Sequence, residues 1–124
     1  MLLYSTLAIL NMAVKNKRKY AYVPFSRNGN VVVNILYNMG YIINYVIEYN
    51  KIKIEFKYND GISVFNGFFF ISRPGNKKKI SVNKLRQVYF KKKSILIIST
   101  KCGILTTVDA LKKGTGGIIL AEFK

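Results

Sequence analysis

Apolar residues at Leu3, Leu7, Leu10 and Val14 recur at the three-to-four spacing that lines one face of a helix, so Met1–Asn16 is predicted to be a first helix packed on a sheet. The period then shortens. Ala21, Val23 and Phe25 alternate with Tyr20 and Tyr22, a strand over Tyr20–Phe25 fed by the basic loop Lys15-Asn16-Lys17-Arg18-Lys19. Ser26-Arg27-Asn28-Gly29-Asn30 is a turn with N-capping side chains, and Val32, Ile35, Leu36, Met39 and Ile43 return to helical spacing, with Gly40 as a stop. A second helix is predicted over Asn30–Met39, its methionine and aliphatic stripe serving as core and not as a ligand set. Tyr41–Tyr49 reads as a strand. Beyond a hairpin joint at Asn50-Lys51, Ile52, Ile54, Phe56 and Tyr58 alternate with Lys51, Lys53, Glu55 and Lys57, the two-residue period of a half-buried strand.

Asn59-Asp60-Gly61 combines turn formers and interrupts both flanking patterns, which suggests a division into residues 1–60 and 61–124. Ile62–Ser72 is predicted as a strand with a bulge at Asn66-Gly67, and Phe68-Phe69-Phe70 within it as mostly core, because consecutive strand residues point to opposite faces. Arg73-Pro74-Gly75 forms a turn, and Ile80–Phe90 is read as a short helical turn. Ser94–Ile98 is a strand. It delivers Ser99-Thr100 to a tight Lys101-Cys102-Gly103 connection, from which Ile104 and Leu105 return to a second hydroxyl pair, Thr106-Thr107. Thr107 is expected to cap a helix through Lys113, with Asp109 in its first turn. Gly114-Thr115-Gly116-Gly117 then reverses the chain into a last strand, Ile118–Phe123; a phosphate-cradling loop would need a helix to follow it. The fold class is α+β, a helix-strand-helix-strand-strand unit followed by a mostly β one.

Charge changes the picture most. Against 21 Lys and Arg stand Glu48, Glu55, Asp60, Asp109 and Glu122, a formal net charge of +16 on 124 residues. A fold with so little internal compensation repels itself, and a polyanion relieves it, so nucleic acid is the leading partner. A cationic membrane binder would concentrate its charge along one long amphipathic helix. Here the basic residues spread over turns and strand edges, and the apolar run Met1–Val14 is too short to cross a bilayer, so no membrane is expected. Cys102 stands alone and histidine is absent, which removes intrachain disulfides, two-cysteine zinc motifs, histidine metal sites and common catalytic triads. With scarce, scattered carboxylates, no catalytic residue, metal, cofactor or small-molecule substrate is predicted, and an enzyme is disfavoured.

The Ser99–Thr106 hairpin is by itself a polar turn. Hydroxyls on a rigid tip can nevertheless contact base edges, sugars or phosphates, and here the runs Lys77-Lys78-Lys79 and Lys91-Lys92-Lys93 bracket them. Ser72-Arg73-Pro74-Gly75, Ser99-Thr100 with Gly103 after them, Thr106, Ala110 and Gly116-Gly117 together resemble the ribosomal protein S8 family of the small subunit, found in bacterial and organellar ribosomes. The likeness is strongest over Ile71–Phe123. It implies a two-domain structural protein, not an enzyme, that binds the central domain of small-subunit ribosomal RNA early in assembly, next to other small-subunit proteins. Ser99, Thr100, Lys101 and Gly103 to Thr106 would read an irregular RNA helix, and Lys17, Arg18 and Lys19 would contact a second one. Arg73, Lys77, Lys78, Lys79, Gly116 and Gly117 complete the expected RNA-binding set.

Three positions depart from the family pattern. Lys101-Cys102 moves a positive charge by one residue, Leu105 replaces a usual methionine, and Ile118 stands where a glutamate often contacts RNA. Abundant Lys, Ile, Asn, Tyr and Phe suggest an AT-rich coding genome and, with the charge, a protein encoded in a mitochondrion and acting in its ribosome, with bacterial cytoplasm or a plastid as alternatives. The alternative function is a basic RNA-binding or architectural protein outside the ribosome.

Overall fold

Alternation of buried and exposed residues builds the first of the two units into which the chain divides, Met1–Gly67 and Phe68–Lys124. The structure, a computed structural model, describes residues 2–73, 75–92 and 94–124. Met1, Pro74 and Lys93, included in the helix, turn and lysine-run readings above, lie outside the described residues.

In the first unit, α1 (Leu2–Lys15) buries Leu3, Leu7 and Leu10 as its spacing requires. Strand β1 (Tyr20–Pro24) turns Ala21 and Val23 inward, and Phe25, expected to continue the alternation, lies beyond the strand and is exposed. Helix α2 (Arg27–Asn38) begins earlier than predicted because Ser26 is its cap. The Ser26 hydroxyl accepts the Gly29 N–H at 2.9 Å, which pulls Arg27 to Gly29 into the first turn. Strands β2 (Ile42–Glu48) and β3 (Lys51–Phe56) form the expected hairpin, and the antiparallel sheet runs β1-β3-β2. Ile52, Ile54 and Phe56 are buried on one face, each worth roughly 1.5–3 kcal/mol of transfer free energy.

The predicted strand Ile62–Ser72 is not continuous. Strands β4 (Tyr58–Asn59) and β5 (Ile62–Ser63) make a small hairpin around Asp60-Gly61, an irregular stretch follows, and β6 is only Phe68–Phe70. The two ends of the stretch belong to different cores. Phe65 stacks parallel to Phe56 at 6.3 Å between centroids in the first unit, whereas Phe68 packs on Phe123 at 4.9 Å in the second. Gly67, between them in sequence, takes φ 97°, a conformation that favours glycine.

The second unit is organised around β10 (Gly117–Phe123). Its Ala121–Phe123 half pairs with β6 and its Gly117–Ile119 half with β7 (Lys78–Ile80), both along one edge. Along the other edge lies β8 (Leu96–Thr100), and β9 (Gly103–Thr106) closes the sheet outside β8. Helices α3 (Val82–Lys92) and α4 (Thr107–Lys113) supply Leu85 and Ala110 to a buried cluster with Leu96 and Ile98, against which Ile80, Leu105 and Ile119 also pack. The expected short helical turn is thus an 11-residue helix, and Lys78 and Lys79 of the lysine run before it lie in a strand.

Gly116 and Gly117 are required by close approach. A Cβ on Gly116 would lie 2.2 Å from the Ile80 carbonyl oxygen, and one on Gly117 would lie 2.2 Å from that of Ser99. The double glycine therefore seats the last strand directly against β7 and β8.

Candidate nucleic-acid interface

The β8–β9 hairpin reverses through two residues, Lys101 and Cys102, with Thr100 paired to Gly103. Positive φ falls on Gly103, at 102°, a conformation in which a side chain would be strained. Ser99 and Thr100 are thus strand residues, half-buried, with Lys101, Cys102 and Gly103 exposed beyond them. Thr100 stiffens the turn. Its hydroxyl donates to the Gly103 carbonyl at 2.8 Å and accepts the Cys102 N–H at 3.0 Å, which leaves one lone pair for anything outside.

The second hydroxyl pair is not at the tip. Thr107 is fully buried and accepts the Leu96 N–H at 2.8 Å, tying α4 to β8. Thr106 is 9% exposed and, in place of Thr107, caps α4: it donates to the Asp109 carboxylate at 3.4 Å and lies 3.5 Å from the Asp109 N–H it accepts. These hydroxyls answer orphan backbone donors, a demand set by the strand-to-helix junction and invisible in a hydroxyl count.

Register places the remaining candidates. Lys79 on β7 pairs with Ile118 on β10, Ile118 with Ser99 on β8, and Ser99 with Ile104 on β9. Directly paired residues share a sheet face, so Lys79, Ile118 and Ser99 form one row, with Lys79 two strands, or about 10 Å, from Ser99. Lys78 alternates to the other face. Arg73 is exposed on a tight reversal closed by two backbone bonds to Asn76, at 3.1 and 2.9 Å, while buried Ser72 accepts the Lys78 N–H at 2.8 Å and locks that loop onto β7.

On α3, Lys84 and Arg86, not singled out in the sequence, are exposed, and Lys91 and Lys92 of the second lysine run occupy its last turn. The usable signal was Ser81, whose hydroxyl accepts the Lys84 N–H at 3.3 Å, followed by Leu85 and Tyr89 at helical spacing. By sequence the second unit holds 13 Lys and Arg against Asp109 and Glu122, so it carries most of the excess charge.

In the first unit, Lys17, Arg18 and Lys19 follow α1 as an exposed loop. Lys17 takes φ 55°, the Lys17 and Arg18 N–H groups bond back to the Val14 and Ala13 carbonyls at 3.1 and 2.9 Å, and Tyr58 donates to the Arg18 carbonyl. The three cations thus project from a pinned backbone. Among the described residues no group of His, Cys, Asp and Glu suits a metal, and no helix is long and apolar enough to cross a membrane.

The family model described as Ribosomal protein S8 matches residues 3–123. The chain belongs to the ribosomal protein S8 family. It is 37% identical over 113 residues to the "Small ribosomal subunit protein uS8" of Mycoplasma mobile, covering 88% of this chain and 84% of that one. Relatives of the same description from Buchnera aphidicola subsp. Cinara cedri and Geobacillus stearothermophilus are 38% and 36% identical over 104 and 103 residues, covering 82% and 80% of this chain and 79% and 78% of theirs. Within an S8 chain the departures acquire positions: Leu105 packs on the buried cluster, Cys102 is the exposed second loop residue, and Ile118 sits between Lys79 and Ser99.

Proposed function

We propose that this chain is a structural, non-catalytic constituent of the small ribosomal subunit that binds the central domain of small-subunit ribosomal RNA beside neighbouring small-subunit proteins, supporting assembly and translation. The observation that carries this reading is the β8–β9 hairpin. Its turn is stiffened by the Thr100 hydroxyl, Ser99 stands in a row with Lys79, and Lys101 is exposed at its end. An irregular RNA helix exposes base edges in a widened groove; a small hydroxyl enters there while lysines settle on phosphates. Ser99 makes the discriminating contact, Lys79, Lys77, Lys101 and Arg73 supply charge, and Lys78 adds charge from the opposite face of β7. Thr106, Gly116 and Gly117 act indirectly, by fixing where the hairpin stands. Lys17, Arg18 and Lys19 hold a second RNA segment.

Family membership and the net charge of +16 support this reading over an RNA-binding protein acting outside the ribosome. The finer compartment is a mitochondrial ribosome served by an organelle-encoded protein, supported by the bias toward Lys, Ile, Asn, Tyr and Phe; synthesis of the protein by isolated mitochondria is the result expected. Crosslinking in native particles resolved on a gradient tests the main claim. The expected result is co-migration with small-subunit particles and crosslinks from Ser99–Gly103 to central-domain RNA. A chain found free or on messenger RNA would contradict it.

A further inference from the structure

The first unit's sheet has one face packed by its helices and one left open. Register assigns Tyr20, Tyr22, Lys51, Lys53, Glu55 and Val46 to the open face, because their strand neighbours Ala21, Val23, Ile52 and Ile54 are buried on the other. Tyr22 is 52% exposed, an unusual cost for a ring on a sheet that has a core to enter. It also forms the ridge between two hollows. One, of about 590 Å³, lies at the β1 edge, between α1 (Met12, Ala13) and Arg18, Lys19 and Tyr20; the other, of about 520 Å³, is bordered by Glu48, Tyr49, Lys51 and Lys53. Both fall in the size range of small-ligand sites, and each joins an aromatic wall to at least two cations.

We infer that this open face is a stacking platform for unpaired RNA, with Tyr22 carrying a base and the flanking cations holding the phosphates on either side. The inference rests on RNA being the partner and adds a second, single-stranded mode of binding. Aromatic rings on an exposed sheet with lysines at its margins suit splayed-out bases, whose π faces need no particular sequence, whereas a paired helix offers no free face to a ring. Tyr20 and Tyr22 lie about 6.8 Å apart along the strand, twice the 3.4 Å rise of stacked bases, so each ring carries its own base. Lys53 and Lys19 now lie over the Tyr20 ring, at 4.6 and 5.4 Å from its centroid. Their long side chains exchange that cation–π contact for a phosphate when a base arrives. Glu48 and Glu55 share the face; they repel phosphates and accept from base amino groups, which confines the RNA backbone to the lysine margins.

The test uses the full chain with two labelled probes, an unstructured polyuridylate of about ten nucleotides and a fully paired RNA duplex. Tyr22→Leu is expected to weaken oligonucleotide binding about tenfold while duplex affinity stays within about twofold, and Tyr22→Phe to retain the parent value. Ultraviolet crosslinking of the unaltered chain to the oligonucleotide is expected to mark the peptide bearing Tyr22, a readout independent of any variant's folding. Unchanged oligonucleotide affinity, equal loss on both probes, or crosslinks confined to other peptides would overturn the inference. So would a Tyr22→Leu chain that keeps both RNA affinities but no longer enters particles, since the face would then dock a protein. Failure of the hairpin reading is separate: it appears as an unaltered RNA preference in a Ser99→Ala chain, which leaves this face intact.

Discussion

The two sheets of this molecule solve the same packing problem differently. In the first unit, helices cover one face of three strands, so buried residues alternate with exposed ones along β1 and with exposed or half-buried ones along β3. In the second, β8 begins with Leu96, Ile97 and Ile98 all buried, and its neighbour β10 serves strands on both edges. The first arrangement leaves a broad surface free for side chains. The second spends its surface on closure and offers the outside mainly a hairpin end and a lysine-rich edge. A one-sided sheet suits recognition by area, and a two-sided one suits holding a small tip rigidly.

That contrast predicts where substitutions hurt most. Gly117→Ala should be the most damaging, about 3 kcal/mol or more, because its Cβ meets the Ser99 backbone and no side chain can move aside. Chemical denaturation would measure it, with hydrogen exchange rising in β7, β8 and β10 before β1–β3. Gly29→Ala in the first unit crowds the Ser26 hydroxyl, at 2.7 Å, and otherwise meets the Thr6 side chain at ordinary contact distances of 3.4 and 3.8 Å, so its cost should be limited to the displaced cap, about 1 kcal/mol. Equal losses for the two glycines would break the comparison. Thr107→Val strands the buried Leu96 N–H and should cost about 1–3 kcal/mol, between these two. Thr106→Ala should cost less than Ser26→Ala, since its capping distance is 3.5 Å against 2.9 Å; thermal melting of the pair ranks them. Replacing Lys77, Lys78 and Lys79 by glutamine should leave stability within about 0.5 kcal/mol. The same change should flatten the salt dependence of RNA binding by about 0.9 in log–log slope per lost phosphate contact on a duplex, and an unchanged slope would assign these lysines to solvent.

The same contrast explains how much could be read from residues alone. Where one face is buried, alternation is visible in the chain, and Ala21, Val23, Ile52, Ile54 and Phe56 were legible as core. Where strands are short and held from both sides, periodicity has no room to show. Lys78–Ile80 looks like a charge run and is a strand because Ile118 and Ile119 supply its ladder. Phe65 and Phe68 look like one strand and are divided between two cores. At the candidate site the hairpin itself was legible from Gly103 and the hydroxyls around it. The inward use of Thr106 and Thr107 was not, because it depends on which backbone donors the start of α4 leaves unpaired. Tyr22 was visible as an alternating strand residue, but its exposure depends on nothing covering that side of the sheet.

The central claim is that Ser99, held on a stiff hairpin, discriminates the cognate RNA while the lysines only attract it. Ser99→Ala tests this cleanly, since Ser99, unlike Thr100, is not part of the turn's hydroxyl bonding. Affinities for a central-domain ribosomal RNA fragment and for random RNA of equal length would be compared at one salt concentration. The account predicts that their ratio falls about tenfold, the worth of one hydrogen bond of about 1.4 kcal/mol, with random-RNA affinity unchanged. An unchanged ratio, or an equal loss on both RNAs, would contradict it.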